Sequence, residues 1–214
     1  MKKKAIIISI KSYNLSVKER TLLANEKPWG LILFKRNIKS LKQIKNLIKK
    51  IRQLTKDKKF PIMIDEEGAA VTRLKKIIDH DFSQKSLGDL YKTNKKLSLV
   101  LYKRYINNLT NFLKTVGINI NTVPVLDVLR KNTNKIIGNR SFSNNPSIVH
   151  TLGRVCVKQY ELNKLATVIK HVPGHGCASI DSHLKMPKVT LSYKDLNKID
   201  FLPFKSIPSK FAMT

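Results

Sequence analysis

The chain has 214 residues and a mass of 24.5 kDa, enough for one domain with a sizeable core. It carries 42 Lys+Arg against 14 Asp+Glu, a formal charge of +28, but the cations are spread over the whole length and the aromatics sit mainly in apolar patterns, which argues against a dedicated nucleic-acid surface. Two cysteines make no disulfide framework, and no apolar run is long enough to span a membrane.

Taken in order, residues 4–10 read as a first buried strand. The opening MKKKAIIISI has the basic start of a leader, but its apolar run is short and Lys11 ends it without a cleavage signature. A cytoplasmic location is therefore expected. Ser16-Val17-Lys18-Glu19 is a capping-box pattern that predicts a short helix, which Pro28-Trp29-Gly30 breaks. Residues 31–34 follow as the next strand. Ser40-Leu41-Lys42-Gln43 predicts a second box, and Leu41, Ile44, Leu47, Ile48, Ile51 and Leu54 recur at helical spacing behind it. Residues 61–64 read as a third strand that ends in Asp65-Glu66-Glu67-Gly68.

Residues 83–95 are loosely helical. Residues 97–116 form a long amphipathic helix with Leu101, Tyr105, Leu109, Phe112, Leu113 and Val116 on its apolar face, stopped by Gly117. An extended stretch over 118–128 is interrupted by Pro124, and the polar loop 130–145 carries Gly138-Asn139-Arg140. A helix over 148–162, a strand over 166–169, a short helix opened by Ser192 and a last strand at 211–213 complete the pattern. Strand and helix alternate with short connections, which predicts one α/β domain with a mainly parallel sheet, doubly wound or closed into a barrel.

The chemistry concentrates in residues 170–183, KHVPGHGCASIDSH, directly after a strand. In an α/β barrel, strand ends face one shared mouth. Asp65, Asp127, Lys170 and His171 hold such positions, and Arg73, Arg140, Asp181 and His183 lie in the loops just beyond. Cations, carboxylates and an imidazole suit a ligand rich in hydroxyls. In Asp181-Ser182-His183 the carboxylate can fix the imidazole tautomer, so that His183 donates a proton to a leaving oxygen. Two other readings stay open. Asp181 with His171, His175 and His183 supplies enough ligands for a zinc hydrolase, although Pro173 and Gly174 argue against the helix that H-x-x-x-H spacing needs. The net charge admits a non-catalytic nucleic-acid or anionic-polymer binder on a decayed barrel.

Six segments stand in one order and spacing: IDEEGAAVTRL (64–74), GININTVPVLDV (117–128), IGNRSF (137–142), KHVPGHG (170–176), DSH (181–183) and DFLPF (200–204). Together they resemble glycoside hydrolase family 3, and within it the bacterial β-N-acetylhexosaminidases, over essentially the whole chain. The resemblance implies a (β/α)₈ barrel of TIM type, here incomplete at about the first five to six β/α units, as one domain over residues 1–214. It implies retaining hydrolysis of terminal β-linked N-acetylglucosamine from cell-wall muropeptides, without a cofactor or metal, by a protein that is monomeric at full length. Asp65, Arg73, Arg140, Lys170 and His171 match the family's sugar-binding residues, His183 its proton donor and Asp181 the residue that orients it. The departures are Ala69 for a second glycine, Asn139 and Cys177 for aspartates, and the lack of a match to the family's nucleophilic aspartate. The 214 residues are accordingly expected to hydrolyse poorly and, as an incomplete barrel, to leave apolar strand edges exposed.

Overall fold

A computed structural model describes residues 3–178 and 188–214. Among these residues six strands pair in sequence order, all parallel: β1 (Lys4–Ile8), β2 (Pro28–Leu33), β3 (Ile62–Ile64), β4 (Ile120–Asn121), β5 (Ala166–Lys170) and β6 (Phe211–Met213). Parallel neighbours need long crossovers. These are built on α1 (Val17–Asn25), α2 (Leu41–Thr55), α3 (Gln84–Thr93), α4 (Lys95–Val116), α5 (Pro146–Leu162) and α6 (Tyr193–Lys198). The result is a curled half-barrel of α/β type.

The strand period of two sorts side chains between two cores. Leu31, Leu33, Ile62 and Ile64 face the helices and join the large cluster that includes Ile44, Ile48, Leu113 and Leu152. Met63, Ile120 and Val168 point the other way, into the curl, where Trp29, Ile32 and Phe211 pack on them. The strand at the start of the sheet is less covered: Ile6 and Ile7 of β1 are 53% and 42% exposed.

The caps form where the sequence places them, with one difference. Ser16 and Glu19 close a reciprocal box: Glu19 N donates to Ser16 Oγ at 3.3 Å and Ser16 N to Glu19 Oε2 at 2.7 Å. At Ser40 only half a box exists. Gln43 N donates to Ser40 Oγ, but Gln43 Oε1 accepts from Lys39 N, and its amide nitrogen donates to the Tyr13 and Asn37 carbonyls. A neutral amide that also donates is drawn toward the loop carbonyls, which a glutamate would not be.

Three other expectations shift. Pro28-Trp29-Gly30 is the start of β2 rather than a break before it. Proline is accepted at a first strand position, and Gly30 admits Pro61, whose Cβ would lie 2.9 Å from an added Cβ. The buried face of α4 runs through Ser98, Tyr102, Ile106, Leu109, Thr110, Leu113 and Val116, and Leu101 is outside. Hydrophobicity alone favours Leu101. Ser98 and Thr110 take core places because their hydroxyls donate to the Leu87 and Ile106 carbonyls. Lastly, β1 ends at Ile8, and Ile10 drops into the core instead of extending the strand.

Candidate functional site

Three carboxylates follow β3, and alternation gives them different surroundings. Asp65 and Glu67 turn toward the end of β5, while Glu66 turns into its own loop. Gly68 follows at φ +148°, and an added Cβ there would meet the Phe82 carbonyl at 2.4 Å. This is a place where only glycine fits.

Lys170, the last residue of β5, is 2% exposed. Its Nζ lies 2.5 Å from Glu67 Oε1 and 3.6 Å from Asp65 Oδ1. It also donates to Thr122 Oγ1 at 2.9 Å, and that hydroxyl donates in turn to Asp65 Oδ1. Arg73 Nη2 reaches Asp65 Oδ2 at 2.9 Å from the β3–α3 loop. Arg140, in the short 3₁₀ turn Gly138–Arg140, grips Glu67 with two nitrogens at 2.8 and 3.0 Å. Glu67 is thus shared by two cations.

His171 is fixed by Asp127, whose carboxylate accepts from the ring Nδ1 at 2.7 Å, from His171 N at 3.3 Å and from His175 N at 2.7 Å. A carboxylate has no hydrogen to give, so the ring hydrogen sits on Nδ1. Nε2 is then free to accept from Arg140 Nη2, 3.4 Å away. Gly176 lets this loop press on Val128, whose carbonyl would lie 1.9 Å from an added Cβ.

Burial raises the pKa of Asp65 and of Glu67, but the surrounding groups outweigh it. Lys170, Thr122 and Arg73 bring Asp65 below its ordinary value, and Lys170 with Arg140 does the same for Glu67. For Arg140, burial works against the charge, and Glu67, Asp127 and Asp65 more than restore it, so its pKa is raised. Three carboxylates (Asp65, Glu67, Asp127) and three basic side chains (Arg73, Arg140, Lys170) stand together in equal number, the pairing a buried charge requires. The groups that meet solvent are Arg73, Arg140, His171 and the edge of Asp65. They offer donors and acceptors side by side to a neutral polar ligand.

The five residues read from the sequence as ligand-binding, Asp65, Arg73, Arg140, Lys170 and His171, therefore stand together in one network. Asp181 and His183, the expected proton-donor pair, lie outside the described residues. Glu67 and Thr122 were not singled out by the sequence, and Asp127 was placed at the mouth without a role. The signal for Glu67 was its spacing of two from Asp65, which puts both on one side of an extended chain. Thr122 had no signal, being one polar residue in an apolar run. Among the described residues no group of three His, Cys, Asp or Glu is arranged to hold a metal ion. No helix among them is long and apolar enough to cross a membrane.

A model of the glycosyl hydrolase family 3 N terminal domain matches residues 2–210. A β-hexosaminidase of Hydrogenovibrio crunogenus is 31% identical over 93% of this chain and 55% of its own length. The crystal structure of NagZ from Neisseria gonorrhoeae in complex with N-trifluoroacetyl-D-glucosamine superposes with a TM-score of 0.90 at 28% identity, covering 99% of this chain and 63% of that one. The Neisseria protein in complex with zinc ion gives 0.87 at 27% identity, with the same two shares. The chain thus spans a little over half the length of these relatives.

Proposed function

The chain belongs to glycosyl hydrolase family 3, and from that premise we propose that its strand-end network is the sugar-binding part of a β-N-acetylhexosaminidase. On this reading Asp65, Arg73, Arg140 and His171 hold a terminal β-linked N-acetylglucosamine, with the buried Lys170 of the sugar-binding set charging the floor behind Asp65. Asp65 accepts from sugar hydroxyls, and Arg73, Arg140 and His171 reach ring and acyl oxygens. His183, oriented by Asp181, protonates the departing oxygen. The substrate is a muropeptide of the cell wall, met in the cytoplasm, and the whole protein is a closed (β/α)₈ barrel that acts as a monomer. The observation that carries the reading is Lys170 held between Asp65 and Glu67, with Arg140 on the far side of Glu67. The N-acylated glucosamine bound by the Neisseria relative supports the sugar class.

Retention of configuration needs a carboxylate free to attack carbon. The four carboxylates of this site among the described residues are committed: Asp65 to Arg73, Lys170 and Thr122, Glu67 to Lys170 and Arg140, Asp127 to His171 and His175, and Glu66 to its own loop. The 214 residues therefore bind the sugar without appreciable turnover. Titration calorimetry with N-acetylglucosamine tests the binding: the chain binds it, and Asp65→Ala abolishes the heat. No heat from the intact chain, or release of 4-nitrophenol from 4-nitrophenyl N-acetyl-β-D-glucosaminide at rates typical of glycosidases, refutes one half or the other.

One observation favours a second reading. α2 and α4 pack together and carry ten cations between them with no acidic residue. A phosphate polymer held there would be released steeply by added salt, whereas sugar binding would be indifferent to it.

A further inference from the structure

Between β3 and α3 the described chain has no strand or helix, only the Gly68–Val71 bridge. One member of the binding network, Arg73, is nonetheless delivered from this loop. What gives the loop a shape is a group the mechanism does not use. The Glu66 carboxylate is fully buried and accepts from four donors: Thr72 Oγ1 at 2.6 Å, Arg73 N at 2.8 Å, Leu74 N at 3.1 Å and His80 Nε2 at 3.0 Å. Asn121 anchors the same residue from β4 by exchanging hydrogen bonds with its backbone N–H and carbonyl. A buried carboxylate is tolerated only when its acceptor sites are filled, so Glu66 gathers 72–74 and residue 80 around one point. His80 is the only side-chain partner in this set that is able to carry charge. Its Nδ1 is buried without a hydrogen-bond partner, which leaves the hydrogen of a neutral ring on Nε2, facing Glu66. The ring stands edge-on to Tyr105 of α4, with centroids 5.6 Å apart, so it is braced against the core.

We propose that the Glu66–His80 pair is a clasp that positions Arg73: it fixes the backbone of 72–74 so that the guanidinium meets Asp65, and thereby sets sugar affinity. The inference rests on the reading of the network as a sugar site. Glu66 and His80 touch no ligand in this scheme, and they act only through the backbone that carries Arg73. His80→Leu removes one donor from the carboxylate, whereas His80→Gln restores an N–H of similar reach.

The test uses the full chain and two readouts. By calorimetry with N-acetylglucosamine, His80→Leu binds roughly tenfold more weakly and His80→Gln within about twofold of the parent, the scale expected for a lost donor to a buried carboxylate. In an Arg73→Ala background, His80→Leu adds nothing further, since the residue being positioned is gone. Trypsin, which needs no sugar, cleaves the native chain at Arg73, Lys75 or Lys76 faster in His80→Leu than in the parent or in His80→Gln. Equal cleavage in all three overturns the clasp, as does an effect of His80→Leu that persists undiminished in Arg73→Ala. Should the parent bind no sugar, the site reading fails, and the trypsin comparison still decides the clasp alone. Glu66→Gln, which keeps an acceptor for the Arg73 and Leu74 amides but turns an N–H toward the donors of Thr72 and His80, serves if His80→Leu does not fold; it speeds cleavage in the same direction, and parent-like cleavage overturns the clasp.

Discussion

Replacing Lys170 by Met keeps an unbranched side chain without the terminal ammonium and leaves little cavity, so the change is mainly electrical. Removing one partner of a buried ion pair costs about 3–5 kcal/mol, because the other charge is left behind. Here two carboxylates are left, at side-chain exposures of 4% for Glu67 and 11% for Asp65. Arg140 still holds the first and Arg73 the second, which places the expected loss at the lower end, about 3 kcal/mol. For a chain of this size that is a fall of roughly 6–12 °C in Tm. The sign of the pH dependence separates this cause from simple misfit. In the parent both carboxylates have folded pKa values below their ordinary ones. Their contribution is fully present above the unfolded value of about 4 and is lost as pH falls through the folded value. In Lys170→Met, burial is less opposed, the folded values rise, and acid relieves the variant while it weakens the parent. Thermal unfolding at about pH 7 and about pH 3, below the unfolded value, should therefore show a gap that narrows in acid. A variant as stable as the parent at neutral pH, or a gap that is constant with pH, would refute the view that Lys170 compensates this pair.

Three further outcomes are expected. Asp127→Asn puts an amide N–H against His171 Nδ1 and drives the ring hydrogen to Nε2, so that it faces Arg140; nitrogen-15 spectra of His171 report the tautomer, and an unchanged spectrum counts against the assignment. Gly88→Ala sets a Cβ 1.8 Å from the Phe142 carbonyl and costs about 3 kcal/mol, whereas Gly138→Ala, at φ +35° with nothing within 4 Å, costs only about 1 kcal/mol; urea denaturation ranks the two. Cys156 is buried with its thiol pushed up to about 12, while Cys177 is half-buried and raised less, by burial and by Asp200. A disulfide reagent thus labels one thiol in the native chain and two after unfolding, and Cys177→Ser removes the native reaction.

What the sequence discloses here follows from what repeats. Strand and helix alternation, and the caps at Ser16, Ser40 and Ser192, are local and periodic. Asp65, Lys170 and His171 were legible because they end apolar runs, where a parallel sheet places its chemistry. Arg73 and Arg140 were placed in the loops beyond those strand ends, but their sugar-binding role came from resemblance, since nothing in their local spacing distinguishes them from surface arginines. The bond between Asp65 and Arg140's partner Glu67, made through Lys170, joins residues far apart in sequence and has no periodic trace. The same holds for α4, where Ser98 and Thr110 displace Leu101 from the core by satisfying their hydroxyls on backbone carbonyls that no hydropathy pattern encodes.

Glu67 answers to two cations at once, Lys170 at 2.5 Å and Arg140 at 2.8 Å. Loss of either cation leaves the carboxylate one partner, whereas loss of Glu67 takes the shared partner from both at once.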